Sequence, residues 1–168
     1  MKELKPLDKK ILFELMKNSR ISDRMLAKIL GVSQPTVSRR RVFLERELID
    51  GYTAIPKWDK FGYEILAVIL VKAQLKFAPE EERKDAIDRS NRWLSKQPNV
   101  IFGSECRGMG ITGIMICLHK NYADFDKFMN QHRQQLGDLF EDVQTFVVNL
   151  AGKSVYRPFH LKYLAEAE

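Results

Sequence analysis

Apolar positions in the first third of the chain recur at the three- and four-residue spacing of an α-helix. A first stripe runs through residues 7–17, a second starts after the capping residue Ser22 and ends at Gly31, and a third follows Ser33. The residues expected to be buried on the second and third helices are Met25, Leu26, Ile29, Leu30, Val37, Leu44 and Leu48. Because only Gly31 and Val32 separate these two helices, they should cross steeply, as in a helix-turn-helix.

The pattern changes over residues 49–58, which favour an extended segment. Gly51 and Pro56 disfavour a helix there, and the aromatic and β-branched residues between them favour a strand. We therefore place a linker strand here and expect the linker to end near residue 62.

Residues 63–152 alternate between strand and helix patterns. The predicted strands cover residues 65–75, 100–106, 114–118 and 143–150, and the predicted helices begin at Pro79 and Asn121. The glycine-rich residues 108–113 are predicted to form the turn between the second and third strands. The order is βαββαβ, a ferredoxin-like pattern. Residues 65–71 are apolar on both faces, which is typical of a strand covered from both sides.

Together these patterns predict an α+β protein with two domains. Residues 1–57 would form an N-terminal helix-turn-helix domain of winged-helix-like type, including the linker strand, and residues 63–152 would form the ferredoxin-like domain. Residues 153–168 form a C-terminal tail for which the pattern predicts no element.

The charge of the chain is concentrated in the first of these domains. The formal net charge is +6, and residues 1–57 carry 13 Lys and Arg against 7 Asp and Glu, whereas residues 58–168 carry 15 of each. A basic domain beside a neutral one indicates that the basic domain binds a polyanion. A solvated basic surface without a partner would look the same by charge alone.

The residues around the predicted turn favour DNA as that polyanion. Ala27 is small enough for close helix approach, Gly31 permits the sharp turn, and Val37 fills the space between the helices. Near the exposed start of the third helix stand short polar side chains that can contact base edges, namely Ser33, Gln34, Thr36 and Ser38. The side chains expected to contact phosphates are Arg39, Arg40 and Arg41.

The same residues carry a resemblance to a known family. The residues that carry it are the turn motif from Leu26 to Arg40 and seven shorter segments, namely Leu7-Asp8, Ile11-Leu12, residues 18–22, Leu44-Glu45, Leu48-Ile49, residues 51–54 and Gly62-Tyr63. In these the chain resembles the leucine-responsive regulator/AsnC (Lrp/AsnC) family of transcription regulators. The resemblance implies binding to double-stranded DNA, a homodimer that could assemble further to an octamer, and a C-terminal effector and oligomerisation domain. It also implies an effector site between subunits near the turn that joins the second and third strands.

Two positions depart from the family pattern. The family usually has an apolar residue where Arg41 stands, and its strand turn commonly reads Gly-x-x-Asp, whereas this turn has no aspartate. The effector residues that the resemblance implies are Gly108, Met109, Gly110, Ile111 and Thr112. Because the expected acceptor for an ammonium group is missing, we expect a weak response, or none, to free amino acids.

Two other functions share parts of this architecture. Siroheme decarboxylases resemble it in both domains, but their basic segment after the third helix and the His, Tyr and Arg residues of their second strand have no counterpart in residues 49–52 and 102–105. An architectural DNA-binding protein that tolerates many sequences would fit the same residues, and a footprint would distinguish it from a site-specific regulator.

The remaining residues indicate no catalytic, metal or cofactor site. The histidines fit no metal spacing, and the charged start of the chain is unlike a signal peptide, so we expect a cytoplasmic protein with no membrane segment. Cys106 and Cys117 would be reduced, although they would face each other across the hairpin if Ile111 and Thr112 formed its tip.

Overall fold

The computed structural model describes residues 4–74, 79–153 and 155–166, and the chain divides into two compact units. The first unit comprises Met1–Ile55 and Arg157–Glu168, and the second comprises Pro56–Tyr156. The helices are α1 (Pro6–Lys17), α2 (Asp23–Leu30), α3 (Gln34–Glu47), α4 (Glu80–Leu94), α5 (Tyr122–Leu136) and α6 (Lys162–Ala165). The strands are β1 (Ile65–Ala73), β2 (Val100–Gly108), β3 (Ile111–His119) and β4 (Phe140–Asn149), and a short 3-10 turn, Gly137–Leu139, precedes β4.

The first unit is a helical cluster around the predicted helix-turn-helix. Ser22 caps α2 by accepting a hydrogen bond from the backbone N–H of Met25, and Gly31 ends α2 with a left-handed φ of 65°. The buried core residues are Ile11, Leu15, Leu26, Ala27, Val37 and Leu44. The helix α6, which the sequence pattern did not predict, packs against α1 in the same unit.

Three apolar residues of this unit lie outside the core that the pattern predicted for them. Met25 and Ile29 on α2 are 50% and 51% exposed, and Leu48 at the end of α3 is 47% exposed. The helix α2 has only eight residues, and Leu26 and Ala27 are its buried face. The predicted linker strand over residues 49–58 was also wrong, because none of these residues lies in a strand.

The second unit has the predicted ferredoxin-like arrangement, and the α+β architecture is confirmed. Its sheet has the order β2-β3-β1-β4, and all neighbouring strands are antiparallel. The core between the sheet and its helices contains Ala67, Ile69, Trp93, Met115, Cys117, Phe125, Phe128, Leu136 and Leu139. Residue 75, the predicted end of the first strand, lies outside the described residues. Both β3 and β4 begin three residues earlier than the pattern predicted.

The hairpin between β2 and β3 also differs from the prediction. Gly108 pairs with Ile111, so Met109 and Gly110 form the tip, and Ile111 and Thr112 belong to β3. Because of this register Cys117 pairs with Val100 and does not face Cys106, so the predicted juxtaposition of the two cysteines was wrong. Burial raises the pKa of the Cys117 thiol to about 12, which keeps it protonated at neutral pH.

Candidate nucleic-acid interface

The start of α3 presents short polar side chains at the N-terminus of a helix. Ser33 caps the helix, since its Oγ lies 3.4 Å from the backbone nitrogen of Thr36 and 2.8 Å from the Oγ1 of that residue. The Gln34 side chain is exposed and makes no hydrogen bond to another described residue. Because the helix dipole places partial positive charge here, this end of α3 is suited to phosphate or to acceptor groups on base edges.

Arg39 is the one predicted phosphate contact whose guanidinium is free. It is exposed on α3, and no carboxylate of the described residues lies within ion-pair distance of it. A long exposed arginine can reach a phosphate without first breaking an internal bond.

Arg40 is engaged inside the first unit. Its Nε donates to Asp8 Oδ1 at 2.5 Å, and its second nitrogen, Nη2, donates to Oδ2 of the same carboxylate. Asp8 is fully buried on α1, and the guanidinium lies 4.5 Å from the centre of the Phe43 ring. The hydrogen bond from Arg40 holds the pKa of the Asp8 carboxyl below its usual value. This bidentate pair fixes α3 to α1.

Arg41 and Ser38 are held by a second carboxylate. The Nη1 of Arg41 donates to Asp23 Oδ1 at 2.6 Å, its Nη2 donates to the carbonyl oxygen of Ile21 at 2.9 Å, and Ser38 Oγ donates to Asp23 Oδ2 at 2.6 Å. The Arg41 side chain is only 18% exposed. At the position where the family usually has an apolar residue, this chain therefore has Arg41, which forms an ion pair with Asp23 at the start of α2.

Asp8 and Asp23 are the residues that sequence reasoning missed. Asp8 offered a signal, because it lies three residues before Ile11 and so on the apolar face of the first helix. Asp23 offered none, since an acid after a capping serine is ordinary at the start of a helix. The seven predicted DNA residues thus divide into four along the first half of α3 whose side chains bond to no other helix, and three that tie α3 to its neighbours.

The residues predicted to bind an effector lie along the hairpin of the second unit. Met109 is fully exposed at the tip with a positive φ of 52°, beside Gly108 and Gly110. Thr112 is used internally, because its Oγ1 accepts from the backbone nitrogen of Ala73 at 2.8 Å and lies 3.2 Å from the carbonyl of Val71. The structure therefore leaves the backbone of the tip, and not the Thr112 hydroxyl, available to a ligand.

The described residues contain no cluster of three or more side chains that could hold a metal ion. Within them there is also no helix with the length and apolar character needed to cross a membrane.

Comparison with known proteins identifies the family. A model of the AsnC-type helix-turn-helix domain matches residues 6–45. An uncharacterized HTH-type transcriptional regulator of Pyrococcus furiosus is 42% identical over 88 residues, which are 52% of this chain and 60% of that relative. The match therefore spans less than two thirds of the relative. The leucine-responsive regulatory protein of Rhizobium meliloti is 30% identical over 129 residues, or 76% of this chain and 78% of that protein.

Two solved structures extend the likeness to the whole fold. PH0061 of Pyrococcus horikoshii has a TM-score of 0.74 at 25% identity, covering 95% of this chain and 99% of its own. The regulator NMB0573 of Neisseria meningitidis, solved with L-Met, has a TM-score of 0.77 at 20% identity, covering 96% of this chain and 99% of its own. With its matching helix-turn-helix, its relatives and its ferredoxin-like second unit, the chain belongs to the Lrp/AsnC family of transcription regulators.

Proposed function

We propose that this protein regulates transcription by binding specific sequences of double-stranded DNA. The observation that carries the proposal is the exposed start of α3, where polar side chains and a free arginine surround a helix N-terminus. In a helix-turn-helix this end of the second helix enters the major groove, where bases differ in their donors and acceptors. The confinement of the net charge of +6 to residues 1–57 supports attraction of this unit to DNA.

The proposed contacts divide by role. Gln34 and Thr36 would contact base edges, and Arg39 would bind phosphate. Ser33 would cap α3 and contact the DNA through its hydroxyl. We assign Ser38, Arg40 and Arg41 to positioning α3, because their side chains already bond to carboxylates of the first unit. Moving Arg40 or Arg41 to a phosphate would leave a half-buried or buried carboxylate without its counter-ion.

Substitution of Arg39 by alanine tests this division. We expect R39A to weaken binding to every DNA sequence and to lower the slope of log affinity against log salt by about 0.9, since one phosphate contact is lost. R41M should leave that slope unchanged, because it replaces an internally paired side chain by an apolar one. Q34A should instead alter the preferred site, at a cost of roughly 1–3 kcal/mol at the affected base pair.

Fluorescence anisotropy over a range of salt concentrations, on sites selected from a random pool, measures all three variants. An unchanged slope in R39A combined with a reduced slope in R41M would reverse the assignment of the two arginines. Equal affinity of the wild-type protein for selected and random DNA would favour the architectural DNA-binding function.

We further propose that the protein acts as a homodimer formed through the open face of its sheet. One row of apolar side chains crosses all four strands on the side away from the helices, formed by Phe102, Ile116, Val68 and Phe146. Phe102 and Phe146 are 49% and 61% exposed in the single chain. A sheet face of this kind supports pairing with an identical face about a twofold axis.

The proposed response to free amino acids is weak or absent. The solved structure of NMB0573 is a complex with L-Met, but the hairpin of this chain has no aspartate to accept an ammonium group. Glu141 is near the hairpin through its 2.9 Å ion pair with Lys72, whose side chain passes close to Gly110, and that pair already neutralises it. Calorimetry with the twenty amino acids tests this, and micromolar binding of any of them at the hairpin would contradict it.

A further inference from the structure

A cavity of about 690 Å³ lies in the second unit, between α4 and the helix-facing side of β1, β2 and β3. This volume is within the range of sites that enclose small molecules. The described residues that line it include Thr112, one of the predicted effector residues, but not Met109 or Gly110 at the hairpin tip. The cavity therefore extends from the base of the hairpin into the space between α4 and the sheet.

The inner wall of the cavity is apolar and aromatic. Trp93, Leu94 and Met115 line it together with Phe140, and Trp93 and Met115 are almost fully buried. The wall also includes His132, which is 2% exposed and stacks on the ring of Phe140. Burial lowers the pKa of His132 to about 4, so this ring is neutral at physiological pH. The deep part of the cavity therefore suits an uncharged, preferably aromatic body.

The charged groups of the cavity lie on exposed side chains. Arg83 on α4 and Arg107 on β2 are both exposed, and neither has a carboxylate within ion-pair distance among the described residues. Among the described residues of the lining, Glu105 is the one acidic side chain. These described residues carry one net positive charge when His132 is neutral, and a guanidinium is the side chain best suited to hold a carboxylate by two parallel hydrogen bonds.

We propose that this cavity binds a small monocarboxylate with an aromatic or branched apolar body. The body would lie against Trp93 and Met115, and the carboxylate would contact Arg83, Arg107 or both. A zwitterionic amino acid fits less well, because its ammonium group would add a second charge next to the two arginines and would have Glu105 as its single ionised acceptor.

The helix that forms one wall of the cavity is anchored from outside it. Arg89 on α4 makes two hydrogen bonds to the carboxylate of Asp138, of 2.6 and 2.8 Å. Neither residue lines the cavity. Changes at Arg83 or Ser90 can therefore be made without removing the ion pair that holds α4 in place.

The test uses the full-length protein and the probe 3-phenylpropionate. We expect calorimetry to give a dissociation constant on the order of 100 µM, as a ligand of this size allows. S90F, which places a ring into the cavity from α4, should abolish binding, and the double variant R83Q/R107Q should weaken it at least tenfold. R92Q is the matched control, because Arg92 is exposed on the same helix but does not line the cavity.

A second readout locates the probe. The chain has two tryptophans, so the fluorescence of W58F reports on Trp93 alone. We expect 3-phenylpropionate to change this emission with the same dissociation constant as in calorimetry. No binding, binding unaffected by S90F, or binding of phenylalanine as tight as that of 3-phenylpropionate would each overturn the proposal. Since these measurements contain no DNA, their failure would leave the proposed DNA-binding function untouched. A failure of the DNA-binding experiments would likewise leave the proposed cavity ligand untouched.

Discussion

Replacement of Arg40 by alanine is expected to lower the free energy of unfolding of the first unit by about 3 kcal/mol. The variant would leave the fully buried carboxylate of Asp8 without its counter-ion, and removing one partner of a buried pair is far more costly than replacing both. R39A, one residue earlier on the same helix, is the control, because Arg39 is exposed and its loss should change stability by less than about 0.5 kcal/mol, as is usual for surface positions. Thermal and urea unfolding measure both.

The pH dependence of this loss identifies its cause. In the wild-type protein the pKa of Asp8 is lowered by Arg40, so the pair stabilises the fold above the pKa of about 3.9 of an unfolded aspartate. This stability is lost as the pH falls through the lowered pKa. In R40A burial raises the pKa of the unpaired Asp8, so this carboxyl becomes neutral at a higher pH. The deficit of R40A should therefore be smaller at pH 4 than at pH 7.

A second variant separates the ion pair from simple packing. The double variant D8N/R40M removes both charges and retains side chains of similar size, and it should recover most of the stability lost in R40A. A deficit in R40A that is the same at pH 4 and pH 7, with no recovery in D8N/R40M, would show that the guanidinium contributes through its contact with Phe43 instead.

The spacing of apolar residues was enough to predict the three N-terminal helices and the order of the second unit. It was enough because each long element buries a continuous face, such as Ile11 and Leu15 on α1 or Ala67 and Ile69 on β1. It was not enough for α2, where Met25 and Ile29 match the helical spacing but lie beyond its narrow buried face. Periodicity indicates which residues share a face, and the neighbouring helices determine how much of that face is covered.

The sequence predicted the helix that carries the candidate DNA-binding residues but not the partners of their charges. Three consecutive residues of α3 are arginines, at positions 39, 40 and 41. Their roles differ because Arg40 and Arg41 pair with carboxylates that are distant in sequence, Asp8 and Asp23. Pairing over such distances depends on how α3 packs on α1 and α2, which no local pattern contains. The hairpin register illustrates the same limit, since glycines at 108, 110 and 113 allow several turns and the structure has the one with Met109 and Gly110 at its tip.

A substitution on the open face of the sheet is expected to have the largest effect on DNA binding. F146K would place a charge at the β4 end of the apolar row that forms the proposed dimer interface, and burying it without a partner is unfavourable enough to prevent pairing. Phe146 is 61% exposed in the single chain, so the substitution should leave the fold of each protomer intact by circular dichroism. Sedimentation at micromolar concentration should then show a monomer.

Loss of the dimer should weaken binding to a two-half-site operator by at least about 100-fold, because the second recognition helix would no longer be held at a high effective concentration beside the first. Binding to an isolated half-site should change little. Y122K is the matched control: Tyr122 is 62% exposed on α5, on the helix side of the sheet, so this variant should remain dimeric and bind the operator normally. A dimeric F146K with full operator affinity, or a monomeric Y122K, would place the interface on another surface of the second unit.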